Sequence, residues 1–95
     1  MELFEDVINN NSDVLSREDI TREYFSKILD KDVNVRVSFL NDRFHYSIYT
    51  SIKKSDIKTI KMLYKKCEVR RILFKIKSIY VDCGDLSFTI YNSKK

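Results

Sequence analysis

No proline interrupts the 95 residues of this chain, and glycine occurs once. Average usage of roughly 5% and 7% would give about five prolines and seven glycines. Long loops with special backbone angles are therefore not expected, and turns must be made by Asn, Asp and Ser. A glycine-rich phosphate loop is excluded by the single glycine. Tryptophan is absent, so a core must be built from Ile, Leu, Val, Phe and Tyr. Apolar runs stop at about three residues, as in Ile72-Leu73-Phe74, far below the ~18 of a membrane span. The acidic start (Glu2, Glu5, Asp6) lacks the apolar stretch of a signal peptide. Cys67 and Cys83 then read as reduced thiols of a cytoplasmic protein, in the host cytoplasm if the chain is viral.

Catalytic chemistry is also thinly supplied. The one histidine, His45, has Ser38 and Ser47 as cross-ribbon neighbours, but the pattern places no carboxylate to orient its imidazole. Cys67, Cys83 and His45 lack the spacing of a zinc site. The acids are scattered or paired with bases, which is not the arrangement of a carboxylate pair for glycoside hydrolysis. An enzyme is therefore not expected, nor a cofactor or a metal.

What is present is a chain of one-domain length, 43% apolar and 34% charged, a composition that suits a folded soluble domain. Leu3, Phe4, Val7 and Ile8 sit at helical spacing in a short first helix, with the loop that follows it reaching residue 12. Ser16 is placed to cap a second helix, with Asp19 three residues on and Leu15 and Ile20 as a hydrophobic staple. Ile20, Tyr24, Phe25, Ile28 and Leu29 give that helix its apolar stripe. Glu18–Arg22 and Glu23–Lys27 are favourable i,i+4 pairs, and Asp30-Lys31-Asp32 ends it.

Val33 to Leu40 alternates with period two, and Phe44, Tyr46 and Ile48 repeat the pattern after Asn41-Asp42, two residues suited to a tight turn. A two-residue loop there pairs Phe39 with Phe44, Val37 with Tyr46 and Val35 with Ile48; a one-residue slip would mix the faces. Ser55 and Asp56 open a third helix whose stripe is Ile57, Ile60, Leu63, Tyr64 and Cys67. From Val69 one long strand is expected, with Ile72, Phe74 and Ile76 inward. Its parity changes near Lys77-Ser78, where a β-bulge or a sharp bend is expected. Asp82-Cys83-Gly84-Asp85 is a hairpin turn, Leu86, Phe88 and Ile90 form the last inward row, and residues 92–95 read as a frayed tail. The segment Phe44–Ser51 also aligns without gaps on Leu86–Ser93, as though αββ were followed by αββ.

The expected architecture is thus one α+β domain over residues 1–95. It has a four-stranded antiparallel sheet of two hairpins and two to three helices on one face, in the order α-α-β-β-α-β-β.

Charge is the remaining signal. Residues 53–77 hold ten bases and two acids, a local +8 in a chain of net +4. Lys54, Lys58, Lys61 and Lys65 lie at i, i+4, i+7 and i+11, one helix face, with Arg70, Arg71 and Lys75 beside them. Arg36, His45, Tyr49 and Tyr91 are sheet-face candidates for stacking and phosphate contact. Three uses compete for this surface: a nucleic acid, an acidic or nucleoprotein partner, or water alone. Residues 1–32 carry nine acids and four bases, −5 locally. Such a bipolar surface suits protein docking, and it is compatible with a homodimer or head-to-tail self-association.

The leading expectation is a non-enzymatic binding protein that inhibits or modulates a larger, nucleic-acid-handling protein complex by charge-complementary docking. Direct DNA or RNA binding is the alternative. Size and a composition rich in Lys, Ile, Asn and Tyr are compatible with a small phage- or virus-borne inhibitor, anti-CRISPR proteins being one example.

Overall fold

The computed structural model describes residues 2–10 and 17–93. Among them are three helices, α1 (Phe4–Asn9), α2 (Arg17–Leu29) and α3 (Lys54–Leu63), and five strands. The strands are β1 (Asn34–Leu40), β2 (Arg43–Thr50), β3 (Glu68–Ile72), β4 (Lys75–Asp82) and β5 (Leu86–Asn92). They form one mixed sheet in the order β1-β2-β5-β4-β3. The protein is a small α+β domain, but its sheet is neither four-stranded nor wholly antiparallel.

The first hairpin follows directly from its sequence. Asn41 and Asp42 adopt φ of 55° and 60°, the left-handed pair that a two-residue hairpin loop demands. Phe39, Val37 and Val35 face Phe44, Tyr46 and Ile48 as the alternation predicts. Helix α2 ends as its sequence implies: Asp30 takes a left-handed φ of 55°, and the Lys31 N–H returns to the Ser26 carbonyl at 3.2 Å, closing the last turn.

The second half departs from expectation. The stretch read as one long strand is a hairpin, with β3 and β4 joined by a two-residue loop, Leu73-Phe74, between the paired Ile72 and Lys75. Nothing at that loop is a usual turn former, so the turn lies hidden inside an apolar run. Ile72 and Phe74, expected inward, are 56% and 99% exposed. The bulge is where the parity change put it: Arg70 pairs with Ser78 and Arg71 with Ile76, leaving Lys77 as the extra residue. Ile76 and Ile79 thereby share a face despite their odd spacing.

The sheet centre is the parallel pair β2/β5. Helix α3 carries the chain from β2 to the far edge, and the β3-β4-β5 meander brings it back beside β2. Register pairs Phe44 with Leu86 and continues to Thr50 opposite Asn92, the same correspondence as the internal sequence echo. The echo therefore has a physical source: two adjacent central strands meet the same inside and outside at every row. The two halves are not equivalent, because the second contains three strands.

All three helices pack on one face, which we term inner, and they meet at Phe88. The rings of Phe4 (α1), Phe25 (α2) and Tyr64, the residue that follows α3, lie 5.8, 4.9 and 5.3 Å from it. Phe4 also contacts Tyr24, Phe25 and Tyr46 within 5.4 Å. A six-residue helix too short to persist alone is thus held by its aromatic anchor. Ile48, Ile60, Ile79, Val81 and Ile90 complete the core.

Local readings divide in the same way. Leu15 and Ser16, the expected staple and cap of α2, lie outside the described residues. Glu18 pairs with Arg22 at 3.3 Å, whereas Glu23 and Lys27 make no ion pair with each other. Ser55 lies inside α3, which begins at Lys54. The cap function falls to Asp56, whose carboxylate accepts the Lys53 N–H at 2.8 Å. Asn92, expected to fray, instead accepts the Ile52 N–H and donates to the Ile76 carbonyl, at 3.0 and 2.7 Å. The Ser93 N–H reaches the Thr50 carbonyl at 2.9 Å. No helix among the described residues is long and apolar enough to cross a membrane.

Candidate docking surfaces

Thirteen of the sixteen described bases divide into two groups, with Lys27, Arg36 and Lys53 in neither. Arg17 donates to the Tyr46 hydroxyl at 2.8 Å and lies 4.1 Å from the Phe44 ring centre. Arg22 is paired with Glu18 and Asp19, Lys31 with Asp56, and Arg43 with Asp82. All four lie outside the basic stretch. Among the described residues, the nine bases that follow Lys53 within the stretch make no side-chain hydrogen bond or ion pair. All nine are exposed. Most bases that the fold uses for itself are thus elsewhere.

These nine bases do not form one site. Ile57, Ile60 and Tyr64 turn α3 onto the sheet, leaving Lys54, Lys58 and Lys61 on its solvent side at i, i+4 and i+7. Lys65 does not extend that row. The helix stops at Leu63, and Tyr64 is already extended at φ −133° and ψ 102°, so Lys65 belongs to the following bend with Lys66.

Arg70, Arg71, Lys75 and Lys77 belong to a second surface, the β3–β4 hairpin. The last β4–β5 pair toward the loop is Ser78 with Tyr91, and the Ile76 carbonyl still accepts from Asn92 of β5, so the hairpin runs on past β5 and residues 71–75 form a finger. Its tip is apolar: Ile72, Leu73 and Phe74 are 56%, 88% and 99% exposed. Leu73 has φ of 59°, a left-handed value that bulky side chains rarely adopt, at the position where such loops ordinarily carry glycine. The tip was missed because alternation alone assigned its residues to the core. The signal against that reading is Arg70-Arg71, adjacent bases that leave no inward side for the strand.

The outer sheet face is a third surface, and the expected Arg36, His45, Tyr49 and Tyr91 all lie on it. Register lines up Asn34, Tyr49, Tyr91, Ser78 and Arg70 across all five strands. Arg36, Ser47, Thr89, Tyr80 and Glu68 form the next row. Tyr49 and Tyr91 stack on each other, centroids 5.2 Å apart and planes 17° from parallel. The α3 lysines are on the opposite layer, so one flat partner cannot cover both.

His45 Nδ1 lies 2.7 Å from Ser87 Oγ, and Ser87 is buried. Asp82 flanks Ser87 on the other side in register, but its carboxylate accepts from the Gly84 N–H and from Arg43. Those two donors hold its proton affinity below the usual carboxylate range, the Gly84 N–H first. Among the described residues no carboxylate bonds to His45, and no three His, Cys, Asp or Glu side chains converge on a metal position.

One polar cluster had no sequence signal. The Tyr64 hydroxyl accepts the Phe4 N–H at 2.9 Å and donates to Glu5 at 2.6 Å, joining α1 to α3. Burial, then the Glu5 charge, pushes the Cys83 thiol up to about 12, and the same two causes take Tyr24 to about 12. Burial also raises Tyr64 far above its ordinary range. These groups hold their protons at neutral pH, which makes the cluster a structural tie. No protein-family model matches the chain, and neither a curated protein nor a solved structure is similar to it.

Proposed function

We propose that this chain is a non-catalytic binding protein that docks on a larger acidic partner, a protein or nucleoprotein complex, and blocks or modulates it. The observation that carries this reading is the division of the bases. Arg17, Arg22, Lys31 and Arg43 serve the fold, while Lys54, Lys58 and Lys61 form an exposed row with no acid at i±3 or i±4. Unpaired like charges at helical spacing destabilise by a few tenths of a kcal/mol each, and a carboxylate-bearing partner would relieve that repulsion. Charge of this kind steers encounter and sets orientation more than it adds raw affinity.

The decisive variant is Lys58→Glu/Lys61→Glu. Both residues are exposed, so circular dichroism should be unchanged, while recovery of a native partner from host extract should be lost. Undiminished recovery by the variant rules the reading out.

A second reading, direct nucleic-acid binding, is favoured by a separate observation. The stacked Tyr49–Tyr91 pair shares a row with Arg70 and neighbours Arg36 on the outer face, a platform of the kind that bases stack on. Fluorescence anisotropy against single- and double-stranded oligonucleotides at two salt concentrations separates the readings, because phosphate contacts impose a steep salt slope. Absence of binding at low salt removes the second one.

A further inference from the structure

The finger and its basic collar have a counterpart on the same chain. Between α1 and α2 lies a cleft of about 440 Å³, with Ile20, Tyr24 and Ile28 in its wall and Glu2 and Glu23 on its rim beside one base, Lys27. This cleft is built from the acidic first third of the sequence, the finger from the basic stretch. We infer that the Leu73-Phe74 finger of one copy inserts into the α1–α2 cleft of a second copy.

Four observations carry the assignment. First, the tip is a ready-made anchor: Phe74 is 99% exposed and Leu73 88%, and interfaces concentrate their energy in such aromatic and aliphatic groups seated in a pocket. Second, the cleft offers an apolar wall, Ile20 and Ile28 with the Tyr24 ring, within a mixed lining, and it is large enough for a leucine and a phenylalanine side chain. Third, the charges match across the joint. Arg70, Arg71, Lys75 and Lys77 surround the tip, and Glu2 and Glu23 rim the cleft, so contacts form at the edge as the apolar groups enter. Fourth, the finger keeps its shape at a cost: φ of 59° at Leu73 is strain of the sort retained at recognition sites. The contact does not occur within one chain, since the tip is almost wholly exposed.

Finger and cleft are different surfaces, and each copy offers one of each. The contact goes beyond the docking of an acidic partner and does not use the α3 lysines. Lys58→Glu/Lys61→Glu should therefore self-associate like the natural sequence, and the two proposals can fail separately.

Sedimentation equilibrium from low to several hundred micromolar protein tests the inference. The natural sequence should gain mass with concentration, and less so at high salt. Phe74→Asp, an exposed change that leaves the fold intact, should weaken association by about tenfold or more, as should Glu2→Arg/Glu23→Arg. Mixing these two variants is the sharpest test. The first retains a working cleft and the second a working finger, so together they should form a one-to-one complex and nothing larger. A natural sequence monomeric throughout, association unchanged by Phe74→Asp, or a mixture that stays monomeric would each overturn the inference. So would Phe74-dependent sedimentation with phosphatidylserine vesicles from a protein that does not self-associate, since that result assigns the finger to a lipid surface.

Discussion

Replacing Leu73 by Asn should make the isolated protein more stable, although it removes an apolar side chain. Leu73 has φ of 59°, where a side chain other than Gly, Asn or Asp loses roughly 1–2 kcal/mol. Full burial of a leucine is worth about 1.5–3 kcal/mol, but Leu73 is 88% exposed, so only some 0.2–0.4 kcal/mol of that is at stake. Asn visits the left-handed region readily and avoids the extra chain entropy of Gly. The net gain is about 0.5–1.5 kcal/mol, a rise of roughly 3–8 °C in Tm for a domain of this size. Thermal and urea melts by circular dichroism read it, at low micromolar protein so that association contributes nothing. The internal control is Asn41→Leu, at φ of 55°, which should lose about what Leu73→Asn gains. If Asn41→Leu destabilises and Leu73→Asn does not stabilise, the finger is unstrained and the reasoning fails.

The other two predictions concern groups inside the fold. Asp56 is buried and accepts from Lys31 at 2.6 Å and from the Lys53 N–H at 2.8 Å. Removing one partner of a buried pair costs about 3–5 kcal/mol, but the Lys31 side chain is 20% exposed, so Asp56→Ala should cost roughly 2–3 kcal/mol by urea unfolding; a loss below ~0.5 kcal/mol would show the pair to be dispensable. Stability should also fall in alkali. Tyr24 and Cys83 release their protons near 10 and 9 when unfolded and near 12 when folded; the unfolded chain therefore binds fewer protons above pH 9, and stability that is complete below that pH is lost as it rises toward 12. A urea midpoint that stays flat from pH 8 to 12 contradicts the burial of these groups.

How far the sequence could be read depended on whether local chemistry and tertiary context agreed. In β1–β2 they agree: Asn41-Asp42 is a turn by its own preference, and the alternation of Val35, Val37, Tyr46 and Ile48 permits one register. At Leu73-Phe74 they disagree, because the residues prefer a strand interior and the chain makes them a loop. The parity change at Lys77 was legible, since a bulge alters spacing within a single strand. The parallel pairing of β2 with β5 was present in the sequence as a likeness between two segments, but likeness alone does not distinguish duplication from adjacency. The basic candidates are exposed, whereas His45 and Tyr49 are half-buried, and the grouping of the bases was not legible. Helix α3 stops at Leu63, two residues before Lys65, and the β3–β4 hairpin carries Arg70, Arg71 and Lys75 away from the helix.

The place of β5 has a consequence for how the chain reaches this state. It follows every other described element along the chain, yet it lies at the middle of the sheet and carries Phe88, on which all three helices close. Before it arrives, the β1–β2 and β3–β4 ribbons are separate hairpins, each with an unpaired edge beside an empty track. Zipping that track joins residues 42 positions apart, as Phe44 and Leu86 are, and closure over such a distance comes late and slowly. Refolding followed by stopped flow should accordingly be slower than that of a helical bundle of equal length. During that interval the two open edges are the surfaces most exposed to mispairing between chains.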